Sequence, residues 1–419
     1  MTVLVRPAAG QPATPYRQPA FWIVIALLAA GAVRMSQILA KFLNSYPIAT
    51  VTALGLFALL AVPFWLFVRE LDFLEREPTA LLVVAFSWGG LVATSVSIPG
   101  STALENLIAK LGSPGLAADW GAALAGPTVE EIAKTLGVVA IVLIARSQVN
   151  SVLDGVVYGA MVGLGFQIVE DVVFAIGAVA FAGQGDQVQP VITTFLVRGF
   201  LAGVWSHTLF GALAGAGIGY LVVSTDRGWP RRITTAALAL FGAWASHVLW
   251  NSPLFREGLG NGAVALLAVL VFKGLPPLVL ILWLVRRAHD REAEYYVARL
   301  QDLDDPELIT AGELRALGSG SRRAAARRHA AERAGRKARA AVRHLQRAQA
   351  QLAVELSRAS GLTDQHHSDV RRHRATLIEL GHPEAVEGLR SWRHTASTVG
   401  TTVVAIAVLW VALAALGGA

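Results

Sequence analysis

GPTVEEIAKTLGVVAIVLIA, residues 126–145, has the length and apolar character of a membrane-spanning helix, yet it carries Glu130, Glu131 and Lys134. A charged side chain at mid-bilayer costs at least about 2.5 to 3.5 kcal/mol on insertion scales, so such groups face a bundle interior or a wet cavity. On a helix, positions three and four apart share a face, so Lys134 is within reach of Glu130 and, in part, of Glu131. One cation cannot satisfy two carboxylates. That leaves one of them free to hold a proton or a water.

Outward from this stretch the pattern repeats. The chain has 419 residues, 54% hydrophobic and 16% charged, and its apolar residues come in runs of span length. A run of about twenty suffices to cross a hydrocarbon core of roughly 30 Å. Spans are expected at 20–40, 49–68, 80–98, 121–145, 152–181, 193–223, 233–251, 262–285 and 397–417. Arg6 and Arg17 before the first run imitate a signal peptide, but with eight runs behind it that segment reads as an anchor. Arginine accumulates at 6, 17, 69, 76, 146, 227, 231, 232, 286 and 287, in alternate loops. By the positive-inside rule this puts the N terminus in the cytoplasm and, with nine spans, the C terminus outside. The expected fold class is all-α, a polytopic membrane helix bundle with a cytoplasmic basic helical segment before the last span.

The expected divisions are a disordered tail at 1–19, an eight-span core at 20–285, a cytoplasmic basic region at 286–395 and a C-terminal transmembrane helix at 396–419. The basic region holds 21 Lys or Arg and 15 Asp or Glu, and 321–360 alone holds eleven basic residues against Glu332 and Glu355. The stretch 321–358 is rich in Ala, Arg and Leu, which predicts one long helix. Anionic lipid headgroups are its simplest partner, with a solvated linker as the competing reading. Nucleic acid ranks last, because no aromatic interleaving or reader motif accompanies the charge. The chain has no cysteine, which excludes disulfides and thiolate metal sites.

Three further spans carry polar residues. GLGFQIVEDVVF, 163–174, holds Glu170 four residues after Phe166, with Asp171 about 100° around the helix, a separation that argues against both serving one site. SHTLFGALAGAGIGY, 206–220, puts His207 on a stripe with Gly211 and Gly215, where another helix can approach closely. SHVLWNS, 246–252, sets His247 and Asn251 one turn apart, able to donate to an oxyanion or to hold a water. Each has a plain packing explanation taken singly. Counted at about 1.5 Å per residue, however, Glu130, Glu170, His207 and His247 all fall in the outer half of the bilayer. Amide hydrolysis needs a base for water, an acid for the leaving amine and oxyanion donors, and this set contains them.

These motifs, in this order, resemble the PrsW family of intramembrane proteases, a branch related to the type II CAAX prenyl endopeptidases. PTVEEIAKTLG supplies an EExxK pattern, GLGFQIVEDVVF an FxxxE pattern and SHVLWNS an HxxxN pattern; KGLPPLVLILWLVRR, 273–287, closes the resemblance, which spans roughly 80–285. The resemblance implies cleavage of a membrane-anchored protein such as an anti-sigma factor, within or near a bacterial plasma membrane. It implies Glu130 as the base that activates water, Glu131 and Lys134 as its orienting partners, and His207 and His247 as catalytic or ligating. Asn251 would be the oxyanion donor, and Glu170 stands where the CAAX relatives have a histidine. Asp171 departs from the family's Glu-Asn pair. The cofactor is open between none and a divalent metal such as zinc held by Glu and His; lacking an HExxH motif, the chain reads slightly toward metal-independent catalysis. Two other classes compete: a proton-coupled transporter, motivated by Glu170, Asp171, Lys273 and the interrupted span at KGLPP, and a non-catalytic scaffold acting through the basic tail.

Overall fold

The computed structural model describes residues 15–71, 76–202, 207–254, 268, 270–357 and 364–388, and among them it is built of helices and short connections with no strand. The membrane part contains α1 (Pro19–Ser45), α2 (Pro47–Leu71), α3 (Thr79–Leu111), α4 (Pro114–Ile144), α5 (Val152–Ala182), α6 (Gln189–Thr194), α7 (His207–Val223), α8 (Trp229–Asn251) and α9 (Leu275–Gln301). Five of these, α1, α2, α3, α5 and α8, are long and apolar enough to cross a membrane by length and composition. The protein is a polytopic helical membrane bundle. In α4, a 31-residue helix, every 18-residue window includes Glu130 and Glu131 with Asp119, Lys134 or both, a charge load that hides it from a hydropathy criterion.

The expected boundaries shift in instructive places. The third span runs on to Leu111, beyond the apolar run that ends near 98. The sixth begins as α6, continues as a widened turn at Phe195–Ala202 and resumes at His207. The eighth enters through a widened turn at Leu270–Gly274 and continues past the membrane as α9 to Gln301. Part of the expected tail is helical, since Pro15–Arg17 form a 3-10 turn and α1 starts at Pro19. Residues 1–14 and the span expected at 397–417 lie outside the described residues.

The centre of the bundle is α5, in which every residue from Leu153 to Ile168 is buried. Ser151 caps it through a reciprocal pair with Asp154. Gly155, Gly159 and Gly163 of α5 face Gly211, Gly215 and Gly219 of α7 so closely that a Cβ on any of the first three would strike the partner's backbone. Helices in lipid gain nothing from hiding apolar surface from water, so dispersion between closely packed backbones carries the association. At the end of this stripe, Gly163 abuts the His207 carbonyl. The glycines therefore set how closely the histidine's backbone approaches α5. On the opposite side, the widened turn Trp88–Ala93 of α3 brings Gly89 and Gly90 against the backbone of α5 at Val162 and Gly165.

Beyond the membrane part, α10 (Ala311–Leu317), α11 (Gly320–Ser357) and α12 (Asp364–Glu379) share a separate apolar cluster that includes Tyr296, Leu308, Leu345, Leu352 and Leu377. The one long helix expected for 321–358 is broken. Gly335 sits at φ 79° and ψ −173°, a region open essentially to glycine alone. Across that break, Gln346 donates to the Arg323 carbonyl at 3.3 Å, so the two arms fold back on one another.

Candidate active site

Glu130, Glu131 and Lys134 project from α4 into the bundle, and all three are buried. Space beside Glu130 comes from the preceding Gly126-Pro127: a Cβ at 126 would lie 3.2 Å from Glu130 Oε1. Two indoles hold the helix in place. Trp88 donates to the Ala133 carbonyl at 3.0 Å, and Trp244 of α8 donates to Thr128 Oγ1 at 3.0 Å.

Lys134 does not pair with Glu130, as helix spacing alone allowed. Its Nζ donates to Glu131 Oε1 at 2.6 Å and to His207 Nδ1 at 3.0 Å. Because an ammonium only donates, His207 Nδ1 must accept, which leaves the ring proton on Nε2. That Nε2 donates to Glu170 Oε2 at 2.9 Å. His247 is oriented in the same manner from the other side: its Nδ1 donates to Glu131 Oε1 at 2.8 Å, and Asn251 Nδ2 approaches its Nε2 at 3.4 Å. Phe166 lies under this arrangement, 4.9 Å from Lys134 Nζ and 4.9 Å from the His207 ring, while Phe210 stacks on His247 at 4.9 Å. The four-residue interval between Phe166 and Glu170 thus places the aromatic face under the cation and the carboxylate under the imidazole.

Glu170 and Asp171 reach one network after all, although they point apart on α5. A single guanidinium spans the angle: Arg198, from the widened turn after α6, donates through Nη2 to Glu170 and through Nε to Asp171, each at 2.6 Å. Arg198 also stacks over Phe174 at 3.9 Å. Arg198 is the residue that sequence reasoning missed. Along the chain it passes for a loop charge near a span end, whereas its place five residues inside an expected span marks it as an intramembrane ionisable group.

All seven anticipated residues, Glu130, Glu131, Lys134, Glu170, His207, His247 and Asn251, therefore meet in one cluster. Bonded contacts run continuously from Asn251 through His247, Glu131, Lys134, His207 and Glu170 to Arg198 and Asp171. Glu130 stands inside that chain but apart from it. Its Oε2 is buried with no hydrogen-bond partner among the described residues, 3.8 Å from His207 Nδ1 and 3.7 Å from His247 Nε2. Both facing nitrogens carry lone pairs in the tautomers assigned by their partners.

His207 Nδ1 accepts from Lys134 and His247 Nε2 is approached by Asn251, so Glu130 Oε2 is the acceptor of the three that faces the other two with no donor of its own among the described residues, a repulsive arrangement. Formal charge points the same way, since among the described residues four carboxylates meet two cations, Lys134 and Arg198. A divalent cation fits this deficit. Ligand atoms of Glu130, His207 and His247 lie within 4.8 Å of one another, and each imidazole hands its other N–H to a carboxylate, the support that metal-ligating histidines receive. Two histidines and a glutamate are a known donor set for catalytic zinc. Lys134, 3.0 Å from His207 Nδ1, and Asn251 Nδ2, 3.4 Å from His247 Nε2, would have to move aside. A water fits as well, because it can give one proton to Glu130 and the other to an imidazole nitrogen.

Lys273, which motivated the transporter reading, reaches the end of α8. Its Nζ donates to the Ser252 carbonyl at 2.7 Å and lies 3.5 Å from that of Trp250. A cation there satisfies carbonyls at the C-terminal end of α8 and steadies the turn that presents Asn251.

Compared with known proteins, residues 77–283 match the model of the PrsW family, described as intramembrane metalloproteases. No curated protein and no solved structure matches the chain.

Proposed function

From the premise that this chain belongs, through residues 77–283, to the PrsW family of intramembrane metalloproteases and is a peptide hydrolase, we propose that Glu130 activates the water that cleaves a membrane-anchored protein. The observation that carries this is the unpartnered Oε2 of Glu130 between two imidazoles. Glu131, Glu170 and Asp171 already receive protons from Lys134, His247, His207 or Arg198. Glu130 is the carboxylate left to take one from water.

In the same reading the remaining residues divide the work. Water lies between Glu130 and His247 Nε2, giving a proton to the carboxylate as its oxygen attacks the scissile carbonyl. Asn251 Nδ2, on the same side as Gly126 and Glu130, donates to the developing oxyanion. Protonated Glu130 then returns its proton to the leaving amine. Lys134 holds His207 and Glu131 holds His247 in their tautomers, and Arg198 steadies His207 through Glu170. If a divalent metal is resident, Glu130, His207 and His247 would hold it, and it would supply Lewis-acid polarisation and a more acidic water.

The core is assigned to 20–285 with the N terminus in the cytoplasm, the basic region to 286–395 and a last span to 396–419, in a bacterial plasma membrane. A single-span protein such as an anti-sigma factor is the substrate type. Co-expression with a tagged single-span substrate tests the reading: Glu130→Ala and His247→Ala should abolish the shortened product while the enzyme accumulates normally. Persistence of that product in both variants defeats it. A fragment comparison of membrane proteomes with wild-type enzyme and Glu130→Ala identifies the substrate.

A further inference from the structure

A second charge cluster lies where α2 leaves the membrane, and the protease reading makes no use of it. Glu70, in the last turn of α2, accepts at one oxygen from three arginines: Arg76 at 2.5 Å, Arg343 at 3.3 Å and Arg347 at 3.3 Å. Arg76 belongs to the segment between α2 and α3, while the other two come from the second arm of α11. The fold-back at Gly335 brings the first arm alongside. Arg327 is held below its usual pKa by partial burial and then by Arg343 and Arg339, Arg347 by partial burial and then by Arg76 and Arg343. Among the described residues, three guanidiniums, at 76, 343 and 347, thus share one carboxylate oxygen, with Arg327 close enough to feel Arg343.

The cluster is open. Side-chain exposures are 30% for Arg76, 45% for Arg343 and 27% for Arg347. Its height is set by covalent geometry, because Glu70 follows the apolar stretch of α2 that carries Phe64, Trp65, Leu66 and Phe67. That is the level of lipid phosphates. An arginine fork matches a phosphate diester in shape as well as charge.

We propose that this arginine face is a docking surface for acidic phospholipid headgroups of the leaflet in which α2 ends. The phosphates supply further acceptors to guanidiniums that share a single carboxylate oxygen, and the hairpin of α11 is thereby fastened against the membrane. Neither statement depends on what Glu130 does. A nucleic acid would satisfy the charge but not the location, since the patch adjoins the lipid surface.

Full-length protein, purified in a neutral detergent, is titrated with fluorescent phosphatidylglycerol and, separately, phosphatidylcholine. The wild type should prefer phosphatidylglycerol, and added salt should weaken that preference. Combined Arg327→Ala, Arg343→Ala and Arg347→Ala should weaken phosphatidylglycerol binding about a hundredfold at low salt, while the matching Lys variants keep most of it. Should the triple alanine variant fail to fold, Arg343→Glu, at the most exposed of these positions, makes the same test with about a thirtyfold loss. Equal binding of both lipids overturns the proposal, as does unchanged phosphatidylglycerol binding in the folded variants. So does displacement of the lipid by RNA or inorganic phosphate at concentrations below that of the lipid itself.

Discussion

Two clusters of arginine, lysine and carboxylate stand in this molecule, and they are built on opposite plans. Inside the bundle, Lys134 and Arg198 each touch two partners, every imidazole is tied on both sides, and negative charge is left over around Glu130. At Glu70 of α2, three guanidiniums share one oxygen, and among the described residues positive charge is left over. The first is enclosed, so its surplus can be met only by something admitted to the site, a water, a proton or a cation. The second is open, so its surplus meets whatever lines the bilayer surface. Burial, rather than residue type, separates a reactive centre from an adhesive one.

The sharpest way to break this contrast is Glu130→Gln, which keeps shape and removes the proton acceptor. Cleavage should fall by about 10² to 10⁴, measured as product per folded enzyme; a loss below tenfold would make Glu130 another member of the packing network. Next comes Lys134→Met, which removes the buried cation beside Glu131 and leaves it only the His247 N–H, and should lower stability by about 3 to 5 kcal/mol, read as a fall in the unfolding midpoint in detergent. Glu131→Gln should weaken binding of zinc about ten- to a hundredfold through its hold on His247, followed by metal content after dialysis. Retention of no metal by either protein would leave the water reading alone. In the open cluster, Gly335→Ala should destabilise the hairpin by about 1 to 3 kcal/mol, seen as faster amide exchange in 320–357 with the membrane helices unchanged. The mildest change is Arg198→Lys, which keeps the charge but not the two-armed grip. It should lower kcat about tenfold with KM unchanged, whereas a rise in KM alone would place Arg198 in substrate binding.

Much of the site can be read along the chain because charges inside apolar runs are costly enough to be informative singly. Glu130, Glu131, Lys134, Glu170, His207, His247 and Asn251 are all visible in this way, and a common depth suggests that they meet. Which carboxylate Lys134 neutralises is not legible, because helix spacing allows both Glu130 and Glu131 and the choice falls to His207 on another helix. Arg198 escapes because it sits where α6 gives way to a widened turn, a change of backbone pitch that no periodicity announces. The long basic helix misleads for a related reason: the Ala and Arg on both sides of Gly335 favour helix equally, and the fold-back is written only in one glycine.

Sequence alone determined that the chain is a helical membrane bundle with polar groups concealed inside it, because hydrophobic run length and the cost of buried charge are local properties. Tertiary structure decided which carboxylate is left without a donor, that one guanidinium unites Glu170 with Asp171, and that Arg76 meets Arg343 across more than half the chain. Those outcomes depend on which atoms share a few ångströms of low-dielectric space, and only the packing of one helix against another sets that.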